Sequence, residues 1–146
     1  METGIVGRWA YYAPLWLGTL LVAALYVGNL GQLPPRPVWV HVVGVLVGAP
    51  LVGLELQLGL IGAQGVFAQV LPVPRGRSIR GGGAVLGGSL LLLWFALSLI
   101  CMLLRSEGLG IAALVVGALA LASLAAAAIV YAWHLPAAVR DFGPER

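Results

Sequence analysis

Lysine is absent from this chain and acids are scarce: five Asp and Glu stand among 146 residues, against eight basic residues that are all arginine. Charged residues make up 9% of the sequence, where soluble domains carry roughly 25%. A soluble fold with a charged, solvated shell is therefore excluded. The one cysteine, Cys101, sits inside an apolar run, which excludes an internal disulfide or a Cys-based metal framework; a small packing residue is expected there. No nucleophile beside a base, no paired carboxylates and no zinc-ligand spacing occurs, so no metal site and no enzymatic activity is read from the sequence. Gly81-Gly82-Gly83 lacks the Lys-Ser/Thr of a phosphate-binding loop, and no strand is expected before it.

Hydrophobic residues make up 61% of the chain, and mean hydropathy is +1.03. About 20 apolar residues cross the hydrocarbon core of a bilayer, and four such spans can be drawn, at 12–30, 38–58, 84–104 and 109–133. The expected fold is an all-α integral membrane protein, one four-helix transmembrane bundle over 1–146. Arg8 followed by an apolar run resembles a signal peptide, but Tyr12 to Leu30 is long enough to span and is read as an uncleaved first helix. Pro34, Pro35 and Pro37 make a stiff first connector. Arg105-Ser106-Glu107-Gly108 is a tight turn that makes the last two spans an antiparallel pair. Residues 59–83 are expected to form a partly interfacial connector: a helix from Val38 to Leu71 would be about 50 Å long, more than a bilayer, and glycines at 59, 62 and 65 favour a bend. Pro50 predicts a kink between Leu46 and Pro50.

The arginines set an orientation. With four spans, Arg8, Arg75, Arg77, Arg80, Arg140 and Arg146 share one side and Arg36 and Arg105 the other, so both termini and the Arg75, Arg77, Arg80 basic cluster are expected in the cytoplasm. Topology thus explains the net charge of +3. No interleaving of aromatic and basic residues points to nucleic acid. The composition, with arginine for every cation and Ala, Gly, Leu and Val dominant, is that of a GC-rich bacterium, which places the chain in the inner membrane as a multi-pass protein whose first partner is the lipid bilayer.

Glu55 is the only acid inside an apolar segment long enough to cross a membrane. Steps of three and four put His41, Gly44, Gly48, Val52, Glu55, Gly59 and Gly62 on one helix face. Glycines let helix backbones approach where no hydrophobic drive exists between them, so Gly44, Gly48, Gly59 and Gly62 are expected packing positions. Glu55 then faces the bundle, a wet cleft or a second chain, since a carboxylate against acyl chains costs a few kcal/mol or more. Two roles stay open for it: a proton- or ion-coupling site, or a structural partner of Arg75, Arg77, Arg80 or His134. It is placed about 25 Å into its span, near the inner edge. Gln57 is expected to face elsewhere. His41 near the outer end is a candidate contact to a chlorophyll-type pigment or haem shared with another chain. His134 is expected at the opposite end, too far off to share one haem with it. In span four, Gly117, Ala120, Ser123, Ala127, Tyr131 and His134 form a stripe suited to close packing. Trp94 at mid-membrane is unusual for a residue that prefers interfaces.

Gly53-Leu54-Glu55-Leu56 resembles, over four residues, the glutamate-bearing helix of the K subunit of respiratory complex I, whose second membrane glutamate has no counterpart in span three. The small multidrug transporters also carry one membrane glutamate among four helices, but in the first, where this chain has no acid. The expected function is a structural or accessory subunit of a larger bacterial membrane complex, of respiratory or photosynthetic type, with other membrane subunits or self-association as partners. The alternatives are a small proton-coupled transporter or channel using Glu55, and a pigment- or haem-contacting subunit using His41.

Overall fold

The computed structural model describes residues 3–29, 31, 36–73 and 77–140. It is mostly helical, with three helices long and apolar enough to cross a membrane, Val38–Phe67, Gly82–Ser106 and Gly110–His134, and a shorter apolar stretch at Tyr12–Gly28. The chain divides into two compact units, Met1–Gln57 and Leu58–Arg146.

The first unit holds α1 (Thr3–Gly28), α2 (Val38–Val43), a π-helical turn (Gly44–Gly48) and the first half of α3 (Ala49–Phe67). Helix α1 ends where the amide of Asn29 donates back to the Leu25 carbonyl from both its backbone and its Nδ2, at 3.1 and 2.7 Å, satisfying an otherwise orphaned acceptor. Pro34 and Pro35 of the first connector lie outside the described residues. The kink expected near Pro50 takes the form of the π turn: the proline ring presses on the carbonyl four residues back, and the turn in front of it widens.

That widened turn corrects the single face expected from His41 to Gly62. It rotates α3 relative to α2, because each helical residue is worth about 100°. The buried positions on α3 are Ala49, Gly53, Gln57, Ile61 and Gly65, in steps of four, together with Gly59 and Gly62. Within the first unit α1 and α3 meet at Gly18 and Gly53. A Cβ on Gly18 would lie 3.1 Å from the Gly53 Cα, and one on Gly53 would lie 2.5 Å from the Leu15 carbonyl oxygen. Only a glycine pair permits that approach.

In the second unit α3 runs on to Phe67, past the end expected at residue 58. Gly59, Gly62 and Gly65 do not bend the chain but admit α4 (Gly82–Ser106). A Cβ on Gly62 would lie 2.9 Å from the Gly88 carbonyl oxygen, one on Gly65 2.8 Å from the Gly88 Cα, and one on Gly59 3.1 Å from the Phe95 ring. The later part of the connector expected over 59–83 is a β-hairpin, β1 (Val70–Val73) and β2 (Arg77–Arg80), with Leu71 opposite Ile79 and Val70 opposite Arg80. Gln69 at φ 53° and Gly81 at φ 69° turn the chain into and out of it, and the Gly81 amide donates to the Gln69 carbonyl at 3.1 Å. Leu71 and Ile79 are 1% and 4% exposed. Leu71 fills the space left by Gly65 and Gly87.

Helices α4 and α5 (Gly110–Arg140) are joined at Gly108, φ 77°, where the Gly108 amide reaches the Arg105 carbonyl and the Leu109 amide the Leu104 carbonyl. This is the Schellman pairing, which needs the left-handed residue that glycine supplies. Along α5 the buried residues are Ala113, Ala120, Ser123 and Ala127.

Candidate functional site

Three places among the described residues hold the histidines, Glu55 and the tyrosines that bond them or the hairpin. At the start of α2, the Tyr26 hydroxyl and His41 Nδ1 lie 3.0 Å apart, with ring centroids 6.1 Å apart and tilted by 55°. Gly44 makes room for the tyrosine, since a Cβ there would meet its oxygen at 3.1 Å. With Nδ1 engaged by Tyr26, Nε2 is the imidazole nitrogen that remains for ligating a metal, that of a tetrapyrrole included. His41 is half-buried.

Glu55 stands on α3, half-buried, twelve residues before the helix ends at Phe67. At 1.5 Å per residue this is about 18 Å from that end. With α3 running on to Phe67, Glu55 no longer stands near the end of its helix, as the expected span 38–58 had it. Gln57, expected to face elsewhere, is 5% exposed and belongs to the buried face of α3.

The third place is the hairpin end of the second unit, the region of the expected basic cluster. The Tyr131 hydroxyl donates to the Pro72 carbonyl at 3.0 Å, tying α5 to β1. His134 Nδ1 donates to the Val130 carbonyl at 2.8 Å, and its ring lies on Gly83, the second residue of α4. Arg80 on β2 is exposed. Arg75 lies outside the described residues, and Arg77 enters only through its strand register. A strand does precede Gly81-Gly82-Gly83, contrary to the sequence expectation, but it belongs to an antiparallel hairpin and no lysine follows, so no nucleotide loop results. The signal for the hairpin was the pair of short apolar runs, Val70-Leu71 and Ile79, on either side of Pro74-Arg75-Gly76.

The predicted packing residues divide. A Cβ added to Gly44, Gly59 or Gly62 would meet a neighbour at 3.1 Å or less, one on Gly117 would lie 3.5 Å from the Cys101 sulfur, and Ala120 is buried. Gly48 meets nothing within 4 Å. Gly18, Gly53, Gly65 and Gly88 make close backbone approaches and are not among the expected packing positions; what marks them is a second glycine on another helix, which spacing along one helix does not reveal.

Elsewhere the polar groups bind backbone. Thr19 Oγ1 donates to the Leu15 carbonyl, Ser123 Oγ to the Leu90 carbonyl and Cys101 Sγ to the Ala113 carbonyl, at 2.7, 2.7 and 3.2 Å. Among the described residues no three His, Cys, Asp or Glu side chains converge to hold a metal ion. No protein family, no curated protein and no solved structure matches this chain.

Proposed function

We propose that this protein is a four-helix membrane protein of the bacterial inner membrane, with both termini in the cytoplasm, and that it serves as a structural or accessory subunit of a larger membrane complex of respiratory or photosynthetic type. The observation that carries this reading is where the polar side chains go. Cys101, Ser123 and Tyr131 bond backbone carbonyls of other elements, fastening α4 to α5 and α5 to β1, while Thr19 and His134 donate to carbonyls of their own helices, so these polar groups are used on backbone. Ile111, Leu114, Leu121 and Ile129 along α5 are meanwhile exposed, an apolar face for lipid or a neighbouring subunit. The test is mild solubilisation from native membranes, followed by a native gel and an absorption spectrum. Migration in an assembly several times the mass of the 15.1 kDa chain is expected; migration only as a monomer or small oligomer would overturn it.

A second reading has one observation in its favour. The continuation of α3 to Phe67 leaves Glu55 twelve residues from the helix end, which supports a depth at which an intramembrane acid serves ion or proton movement. In that reading the chain is a small proton-coupled transporter or channel with Glu55 as the coupling site.

A further inference from the structure

We propose that His41 is the single protein ligand, through Nε2, of a metallotetrapyrrole, and that Tyr26 orients the imidazole from Nδ1. The inference rests on the membrane reading above and adds a ligand to it. Among the described residues no three metal-binding side chains converge, so they form no cage for a bare ion. A metal that arrives inside a macrocycle already has four nitrogen ligands, and one histidine is enough to hold it.

His41 has the form of such a ligand. The Tyr26 hydroxyl, from α1, lies 3.0 Å from Nδ1, and among the described residues Nε2 makes no hydrogen bond. Histidines that bind a metal through one ring nitrogen are held through the other by a hydrogen-bond partner, which fixes the tautomer and the plane of the ring. With Nε2 on a metal, Nδ1 keeps the proton and donates it to the Tyr26 oxygen. The tyrosine is itself seated by its surroundings: a Cβ at position 44 would lie 3.1 Å from its oxygen and 3.3 Å from its Cζ, so Gly44 is what lets the hydroxyl reach the ring. His134 offers no equivalent, since its Nε2 lies against Gly83, where a Cβ would fall 2.7 Å away.

The residues around His41 fit a large apolar ring. One turn to either side of it stand Pro37, Val38, Gly44 and Val45, none of them polar. Val38 is 78% exposed and His41 is half-buried, so this part of α2 is open to a ligand. A quinone headgroup presents two carbonyls and would leave one of them without a donor among these residues, whereas a metallotetrapyrrole asks for one nitrogen only. Haem and chlorophyll-type pigments share that chemistry, and the experiment separates them.

The full chain, purified in a non-ionic detergent, is titrated with ferric haem b and, separately, with a magnesium chlorin, and absorption is read against the same micelles without protein. One of the two should bind at one equivalent per chain, with a sharpened and red-shifted Soret band. His41→Ala should abolish that spectrum and His134→Ala should keep it. Tyr26→Phe, which retains the ring and removes the hydroxyl, should weaken binding about 10- to 100-fold, with helix content unchanged by circular dichroism. A tyrosine that only fastens α1 to α2 would change the melting temperature and leave the affinity alone. Uptake of neither probe, the same spectrum in His41→Ala, or equal affinity in Tyr26→Phe overturns the inference. A chain stripped from native membranes by carbonate fails the membrane reading itself, whereas a retained chain that takes up neither probe fails this inference alone.

Discussion

The His134 ring lies so close to Gly83 that a Cβ at position 83 would fall 2.6 Å from its Cδ2 and 2.7 Å from its Nε2. The contact joins the start of α4 to the last turns of α5, and a hydrogen bond to the Val130 carbonyl fixes the ring from its other nitrogen. Gly83→Ala should therefore push the ring away and lower stability by about 1–3 kcal/mol, the usual cost of overpacking. His134→Ala empties the same space, so the alanine at 83 should cost far less in that background. Thermal melts of the two single variants and the double variant measure the coupling. Additive losses would show that the ring has room to move.

Gly53 and Gly48 lie on one continuous helix and predict opposite outcomes. A Cβ on Gly53 meets the Leu15 carbonyl and the Thr19 backbone, which no rotamer change can relieve, whereas one on Gly48 meets nothing within 4 Å. Gly53→Ala should destabilise by at least 1–3 kcal/mol through displacement of α1. Gly48→Ala should be neutral or stabilising by up to about 1 kcal/mol, from helix propensity alone. Melting temperatures of the two variants in one detergent decide it, and equal shifts would refute the assignment.

This contrast marks where the sequence was legible. The α5 stripe could be read because that helix is regular and its contact residues from Gly117 to Ala127 are small at every step. The face from His41 to Gly62 could not, because steps of three and four assume a uniform helix and the turn before Pro50 is a π turn. The hairpin was hidden for a different reason. Its two prolines and its arginines read as a connector, and what makes it a structure is the pairing of Leu71 with Ile79 over glycines at 65 and 87, a contact between distant positions. Residues 59, 62 and 65 were read by propensity as a bend, but close packing against Gly88 outweighs propensity and the helix continues.

Leu71 is the side chain on which the hairpin is anchored. Leu71→Ala removes a fully buried side chain between two helices that cannot close the gap without moving, and should cost about 2–5 kcal/mol. Proteolysis after Arg75, Arg77 or Arg80 reports the release directly. Faster cleavage in Leu71→Ala than in wild type, with the helices intact by circular dichroism, is expected. Unchanged cleavage would show the hairpin held by other contacts.

The orientation proposed from the arginines places Ser78 in the cytoplasm and Ser106 outside. Single cysteines at these positions, in a Cys101→Ala background, should react with a membrane-impermeant maleimide in intact cells only at 106. Cys101 contacts the Ala113 carbonyl, so its replacement should cost no more than about 1 kcal/mol. Labelling at 78 from outside would reverse the topology, and with it the leaflet in which the hairpin lies.

Glu55 separates the two functions proposed. An acid towards the middle of a spanning helix is costly unless something polar meets it, and a coupling site and a structural contact meet that cost differently. A coupling carboxyl must bind and release a proton in each cycle, so Glu55→Gln, which keeps the shape and hydrogen-bonding capacity but cannot ionise, should abolish proton-driven uptake while leaving assembly and melting temperature unchanged. A carboxyl that pairs with a cation on a neighbouring subunit has no cycle to run. There Glu55→Gln leaves the partner's charge unpaired in the membrane, which costs about 3–5 kcal/mol when the pair is buried, and the chain should drop out of its assembly on a native gel. Proteoliposome uptake and native-gel migration of wild type and variant, measured on one preparation, distinguish the cases. Loss from the assembly without any wild-type uptake leaves the subunit reading standing; uptake by the wild type that the variant lacks, with assembly intact, replaces it with the transporter.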